Sequence, residues 1–314
     1  MPSFWTHFAF ASDCRKRLSS RVGYTAAGTL TAAVAAYPHA FCTGMQGPDP
    51  FLFYLPAAFR KRRLSSVLHT EETVRLLCRI LARAYSFAGE DRRIALSYVA
   101  GFLGHYLLDS HTHAFVYAKA GIVRSADSFC IHNALEADLN RLAIERSFGK
   151  RLREMPRPRA YELSPAERRV LCALYSDLLE QVYKIRCSPA KVARALWSVR
   201  ECYRVLYDPH GRKAATVRKA EALAGRAYLS PLFLGESRYF EDPANLERHL
   251  WVDPFTKKAS RATFFDLYDR ALEAYIPLIN LLESPNASCP RARRALLEKF
   301  CKRDFHGEPL SRKQ

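Results

Sequence analysis

ALSYVAGFLGHYLLDSHTH, residues 95–113, decides how this chain is read. Apolar residues recur along it at three- and four-residue steps, the period of a helix. Into that apolar segment are set His105, Asp109 and His113, each four residues from the next. Four residues on a helix amount to one turn plus about 40°, so the three side chains rise along one face if the helix persists that far. A carboxylate in an apolar helix is costly unless it is partnered. Imidazole nitrogen and carboxylate oxygen are both good ligands for zinc. His111 is two residues past Asp109, faces away and is assigned no metal role.

The arrangement recurs in IHNALEADL, where His132 and Glu136 stand four apart among Ile131, Ala134, Leu135 and Leu139. A single His–acid pair at this spacing is more often an ordinary helix-surface pair. Two such pairs within 32 residues, together with the in-phase His113, point instead to a metal site enclosed between facing helices. Three more candidates stand outside these segments: His7 in FWTHFAF, Asp49 in the turn GPDP, and His69 in VLHTEET. His39, His210, His249 and His306 lack such company and receive no role.

Outward from these segments the pattern stays helical. VRLLCRILARAYSF (74–87), IHNALEADLNRLAIERSF (131–148), RRVLCALYSDLLEQVYKI (168–185) and FFDLYDRALEAYIPLINLLE (264–283) repeat the same period, and no run alternates as a strand would. The expected fold is all-α, a multi-helix bundle around a buried multinuclear metal cluster. TAAGTLTAAVAAYPHAF (25–41) is short of the ~20 apolar residues of a membrane span and is read as a buried helix. MPRPRAYELSP (155–165) carries three prolines and is the best boundary, after which Ser164 caps a helix with Pro165 in its first turn. The expected division is a helical core over 1–154, a basic helical insertion over 155–240, C-terminal helices over 241–302 that pack on the core, and a loose polar tail over 303–314, all within one domain.

The chain has 314 residues, 49% of them apolar, enough to bury a sizeable core. Lys and Arg outnumber Asp and Glu by 49 to 31, a formal charge of +18 that favours an anionic partner: a phospholipid surface, nucleic acid or a phosphorylated substrate. Nine cysteines without a CxxC pair read as reduced intracellular thiols and argue against a Cys-ligated zinc site. MPSFWTHFAFASDCRKR lacks a basic leader, so no signal peptide is expected and the location expected is cytoplasmic, or peripheral at a membrane. Nothing points to a protein partner.

The ordered series THFAF, GPDPFLFY, LHTEET, GFLGHYLLDSHTHAFVY and HNALE resembles the zinc-dependent phospholipase C family, with a more distant likeness to S1/P1-type nucleases. The resemblance covers roughly residues 1–150, and WVDPFTKKASRATFFDLYDRALE (251–273) resembles a later segment of its intracellular members. It implies an all-helical fold around two to three zinc ions. His7 would ligate one zinc and share Asp109. Asp49, His69, His105 and Asp109 would form a second site, with Asp109 bridging, and His113, His132 and Glu136 would hold a third. It also implies hydrolysis of a phosphodiester, most simply a glycerophospholipid cleaved to diacylglycerol and a phosphorylated head group, with Asp49 as the general base. Phe51, Tyr54, Phe115 and Tyr117 flank the ligands and are candidates for a substrate pocket. Two departures stand out. Secreted members bind a zinc through an N-terminal tryptophan, for which Pro2 would have to substitute here, and Asn140 stands where the family often has Asp. A zinc nuclease or phosphomonoesterase, or a non-catalytic zinc-stabilised module that binds membrane or protein, remains open at this point.

Overall fold

A computed structural model of the chain describes residues 4–20, 29–52, 64–123, 126–157, 159, 161–223, 229–236, 238–284 and 289–310. Twelve α-helices occur among them. In chain order they are α1 (Phe4–Ser19), α2 (Leu30–Ala36), α3 (Pro38–Gly44), α4 (Leu64–Thr70), α5 (Thr73–Ser86), α6 (Gly89–Ala120), α7 (Ala126–Phe148), α8 (Pro165–Tyr183), α9 (Pro189–Leu206), α10 (Arg212–Leu223), α11 (Phe264–Glu283) and α12 (Pro290–Phe300). One small antiparallel hairpin joins β1 (Trp251–Val252) to β2 (Ala259–Ser260). The all-α expectation therefore holds for the described residues, and no helix among them is long and apolar enough to cross a membrane.

The 32-residue α6 is the axis of the molecule, about 48 Å long. It carries apolar residues on every side, which is the signature of a helix enclosed all round, and α1, α2, α3, α5, α7, α8 and α11 all pack against it. The tightest crossing is with α3. A side chain added at Gly101 would place its Cβ 2.1 Å from the Phe41 carbonyl oxygen, and one added at Gly44 would lie 2.0 Å from that of Tyr98. Glycine here sets how closely the two backbones approach.

Helix ends follow the capping chemistry of the sequence. Ser164 accepts from the Glu167 amide while Glu167 reaches back to the Ser164 amide, and Thr263 and Asp266 do the same for α11. Three expectations are corrected. The buried helix expected over 25–41 is instead two described helices, α2 and α3, because Pro38 cannot continue the first and starts the second; residues 21–28 lie outside the described set. The stretch 155–240 is not a mere insertion: α8 buries Val170, Leu171, Leu174, Tyr175, Leu178 and Leu179, and Tyr175 donates to the Gly47 carbonyl at 2.8 Å. Of its helices only α10, with Ala214 as its single buried residue, fits the picture of a basic surface element.

The third correction concerns the tail. Residues 303–310 are packed, not loose. Phe305 is fully buried against His69, Phe102, His105 and Tyr106. Its amide donates to the His69 carbonyl at 3.2 Å, and the Tyr106 hydroxyl donates to the Arg303 carbonyl at 2.8 Å. The reason is apolar burial: one phenylalanine in an otherwise polar segment anchors it in the core. Residues 311–314 lie outside the described set.

Gly101→Ala is expected to destabilise the fold by about 2 kcal/mol or more, because the clash is with backbone and the helices must part. Urea unfolding would show it as a lowered midpoint with an unchanged slope.

Candidate metal centre

Five elements deliver the candidate ligands. His7 stands on α1, Asp49 in a 3-10 turn (Asp49–Phe51), and His69 in the last turn of α4. His105, Asp109 and His113 follow one another up α6, which persists to Ala120 and so keeps all three in phase. His132 and Glu136 stand on α7. All eight side chains are buried, and they fall into three groups: His7, His105 and Asp109; Asp49, His69 and His105; and His113, His132 and Glu136. Within each group the nearest ligand atoms lie within 4.8 Å of one another.

Asp109 joins the groups. One carboxylate oxygen lies 3.3 Å from His7 Nε2 and 3.7 Å from His113 Nδ1, and the other 3.1 Å from His105 Nε2. In the remaining pairs, His69 Nε2 stands 3.3 Å from Asp49 Oδ1 and His132 Nε2 2.9 Å from Glu136 Oε1. The rings of His7 and His105 stack at 4.2 Å between centroids. The resemblance puts His105 with Asp49, His69 and Asp109; the structure gathers it with both Asp49–His69 and His7–Asp109.

Two histidines have their tautomer fixed from behind. His69 Nδ1 donates to the Ser65 carbonyl at 2.6 Å, and His105 Nδ1 donates to the Met45 carbonyl at 3.1 Å. When neutral, each therefore turns an Nε2 lone pair into the site, which is how metal-ligating histidines are held. Both nitrogens of His7 and His113, both oxygens of Asp109, Asp49 Oδ1 and the Nε2 atoms of His69 and His105 are buried without a hydrogen-bond partner of good geometry among the described residues. So many orphaned polar atoms at one place, most of them acceptors, are costly unless a cation satisfies them.

Three of the ligand rings are held neutral. Burial pushes His113 well below the ordinary imidazole range and lowers His132, and burial together with neighbouring His105 lowers His7. These rings stay neutral, as ligands must. For Asp109, burial acts to raise the pKa but is outweighed by His105 and His113, which hold it well below the usual carboxylate range. For His105, burial is likewise outweighed, by the Asp109 charge, and its pKa is raised.

A cavity of about 550 Å³ opens over this centre. Asp49, His69, His132 and Glu136 form part of its lining, so the second and third groups face it, while His7, His105, Asp109 and His113 do not. The lining also has an apolar part, with Leu52, Ile122, Val123, Phe129, Leu232 and Phe255. Of the residues expected to line a pocket, Tyr117 does. Phe51 is core, edge-on to Tyr175 at 5.0 Å, and Phe115 is core against Trp251 and Phe264; both side chains are turned into helix packing and away from the cavity. Tyr54 and Pro2 lie outside the described residues. Asn140 accepts from both the amide and the hydroxyl of Thr6, at 2.8 and 2.9 Å, and so ties α1 to α7 close to His7.

His306 belongs to this cavity and was passed over in the sequence. Its ring lies 5.9 Å from that of His69, 5.8 Å from His113 and 5.6 Å from Tyr117. Burial lowers its pKa to about 3, so it presents a neutral imidazole. Nothing in its surroundings, DFHGEP, distinguishes it from a tail histidine. His111 faces the other way, with Nδ1 donating to the Leu107 carbonyl at 2.8 Å. No family model, curated protein or solved structure matches this chain.

Asp109→Ala is expected to lose bound metal, measured by elemental mass spectrometry on the purified protein, while His111→Ala keeps the wild-type content. Chelation of the wild type should lower its melting temperature by roughly 4 °C, the size expected when a ligand present at about 100 times its Kd is withdrawn from a chain of this length.

Proposed function

We propose that this chain is a zinc-dependent phosphodiester hydrolase of the phospholipase C type, cleaving a glycerophospholipid to diacylglycerol and a phosphorylated head group. The observation that carries the reading is that two clustered donor groups and a set of apolar side chains line one cavity. The donor set of five histidines and three carboxylates suits zinc. Magnesium and calcium favour oxygen ligands alone. When bound there, zinc supplies positive charge to a phosphoryl group and a water acidified towards a pKa of about 7.

The protein's own residues provide the rest. His69, held by the Ser65 carbonyl, and Asp49 beside it line the cavity, and so do His132 and Glu136. A phosphoryl group lying between them has Asp49 within reach as the base that takes a proton from the attacking water. The neutral His306 and Tyr117 flank the same space. The apolar part of the lining accepts the glyceride portion and keeps water from it.

The cavity lining also separates the competing readings. No Lys or Arg is found among its described residues. A groove for a nucleic-acid strand needs such groups to track the backbone. A zwitterionic phospholipid does not, which favours the lipid substrate.

Asp49→Asn is expected to lower kcat/KM by about 100-fold or more, the usual contribution of a general base. Parallel assays of the zinc-loaded protein on phosphatidylcholine, single-stranded DNA and p-nitrophenyl phosphate test the substrate class. Preferential turnover of DNA or of the monoester would replace the lipid reading, and turnover of none of them would leave a zinc-stabilised binding module.

A further inference from the structure

A second cavity, of about 420 Å³, lies round α6 from the metal groups. The metal-facing residues are 105, 109 and 113; Tyr106, Ser110 and Ala114 each follow one position later and so point about 100° away. Four cations reach this cavity from three separate segments: Lys258 beside the hairpin, Arg270 on α11, and Lys302 and Arg303 after α12. A chance run of basic residues is local in sequence. This convergence is not.

The carboxylates nearby are engaged elsewhere. Asp266 pairs with Arg248 and Asp269 with Arg146. Asp253, which lines the cavity, accepts from the amides of Phe255 and Thr256 at 2.9 and 3.0 Å and is 3.3 Å from Arg303. Among the described residues Lys258 and Arg270 make no ion pair. The cavity therefore keeps a positive surplus, with the hydroxyl of Ser260 as a further donor. Trp251, Leu267 and Phe300 give it an apolar side.

We infer that this cavity binds the phosphoryl group of a phosphate monoester, with the ester's organic part against Trp251 and Phe300. Guanidinium groups match phosphoryl oxygens in a fork, and ammonium groups add compact charge. The Arg303 guanidinium also donates to the Gly307 carbonyl at 2.7 Å, in the loop that carries His306 into the metal cavity. The site stands independently of the hydrolase reading, since none of its lining residues belongs to the three metal-ligand groups.

The test is calorimetric titration of the zinc-loaded protein with glycerol 3-phosphate and with inorganic phosphate, beside the double variant Lys258→Ala/Arg270→Ala. Both side chains are exposed, so the variant should retain its fold, checked by its melting temperature. The wild type is expected to bind one more phosphoryl group per chain than the variant, or to bind at least tenfold more tightly, with glycerol 3-phosphate favoured over inorganic phosphate. Flotation with phosphatidylcholine vesicles containing phosphatidic acid distinguishes the source: a deficit of the variant on vesicles alone assigns the phosphoryl group to a lipid. Stoichiometry unchanged, affinity within twofold and vesicle binding unaltered in the variant would overturn the proposal.

Discussion

Everything in this molecule is arranged about a carboxylate with nowhere to go. Asp109 is fully buried in the middle of the longest helix, and neither oxygen has a hydrogen-bond partner of good geometry among the described residues. Burying an uncompensated charge is among the most expensive things a fold can do. Three histidines close in on it from two helices, at 3.1 to 3.7 Å, and hold it ionised. Of their other nitrogens, His105 Nδ1 donates to the Met45 carbonyl, while those of His7 and His113 have no partner of good geometry among the described residues. A cation resolves what the protein alone leaves unresolved, and that physical pressure is the strongest argument for a metal centre here.

The surrounding fold keeps those groups from relaxing. Close approach of α3 to α6 at Gly44 and Gly101 brings the Met45 carbonyl to His105. Asn140 locks α1 to α7, and so fixes the helix that carries His7. The 303–310 loop closes the centre from the far side, with Phe305 buried among His69, His105 and Tyr106. That loop joins the two cavities: Arg303 faces one and His306 the other. The chain's last described residues are thus part of the site's architecture.

Much of the candidate centre is legible in the sequence because helical phase is a local property. His105, Asp109 and His113 share a face for the same reason that any i, i+4, i+8 set does, and His132 with Glu136 follows the same rule. His7, Asp49 and His69 carry no such phase; as residue types they were candidates, but only the resemblance of their short motifs to a known family gave them a place in a ligand set. His306 had neither phase nor motif. Phe51 and Phe115 misled for a related reason: closeness in sequence to a ligand says nothing about which side of a helix a ring lies on.

The sequence by itself determined the helical class, the main helix spans and the cap at Ser164, because periodicity and capping act within a few residues. It also determined which side chains on α6 and α7 face together. Tertiary structure alone decided that three ligand groups, two of them sharing His105, gather about Asp109, that α8 is core, that the tail is anchored, and that four cations from distant segments meet in a second cavity. Those outcomes depend on which helix faces are buried against which neighbours. That is settled by packing the whole chain around α6, and no local window contains it.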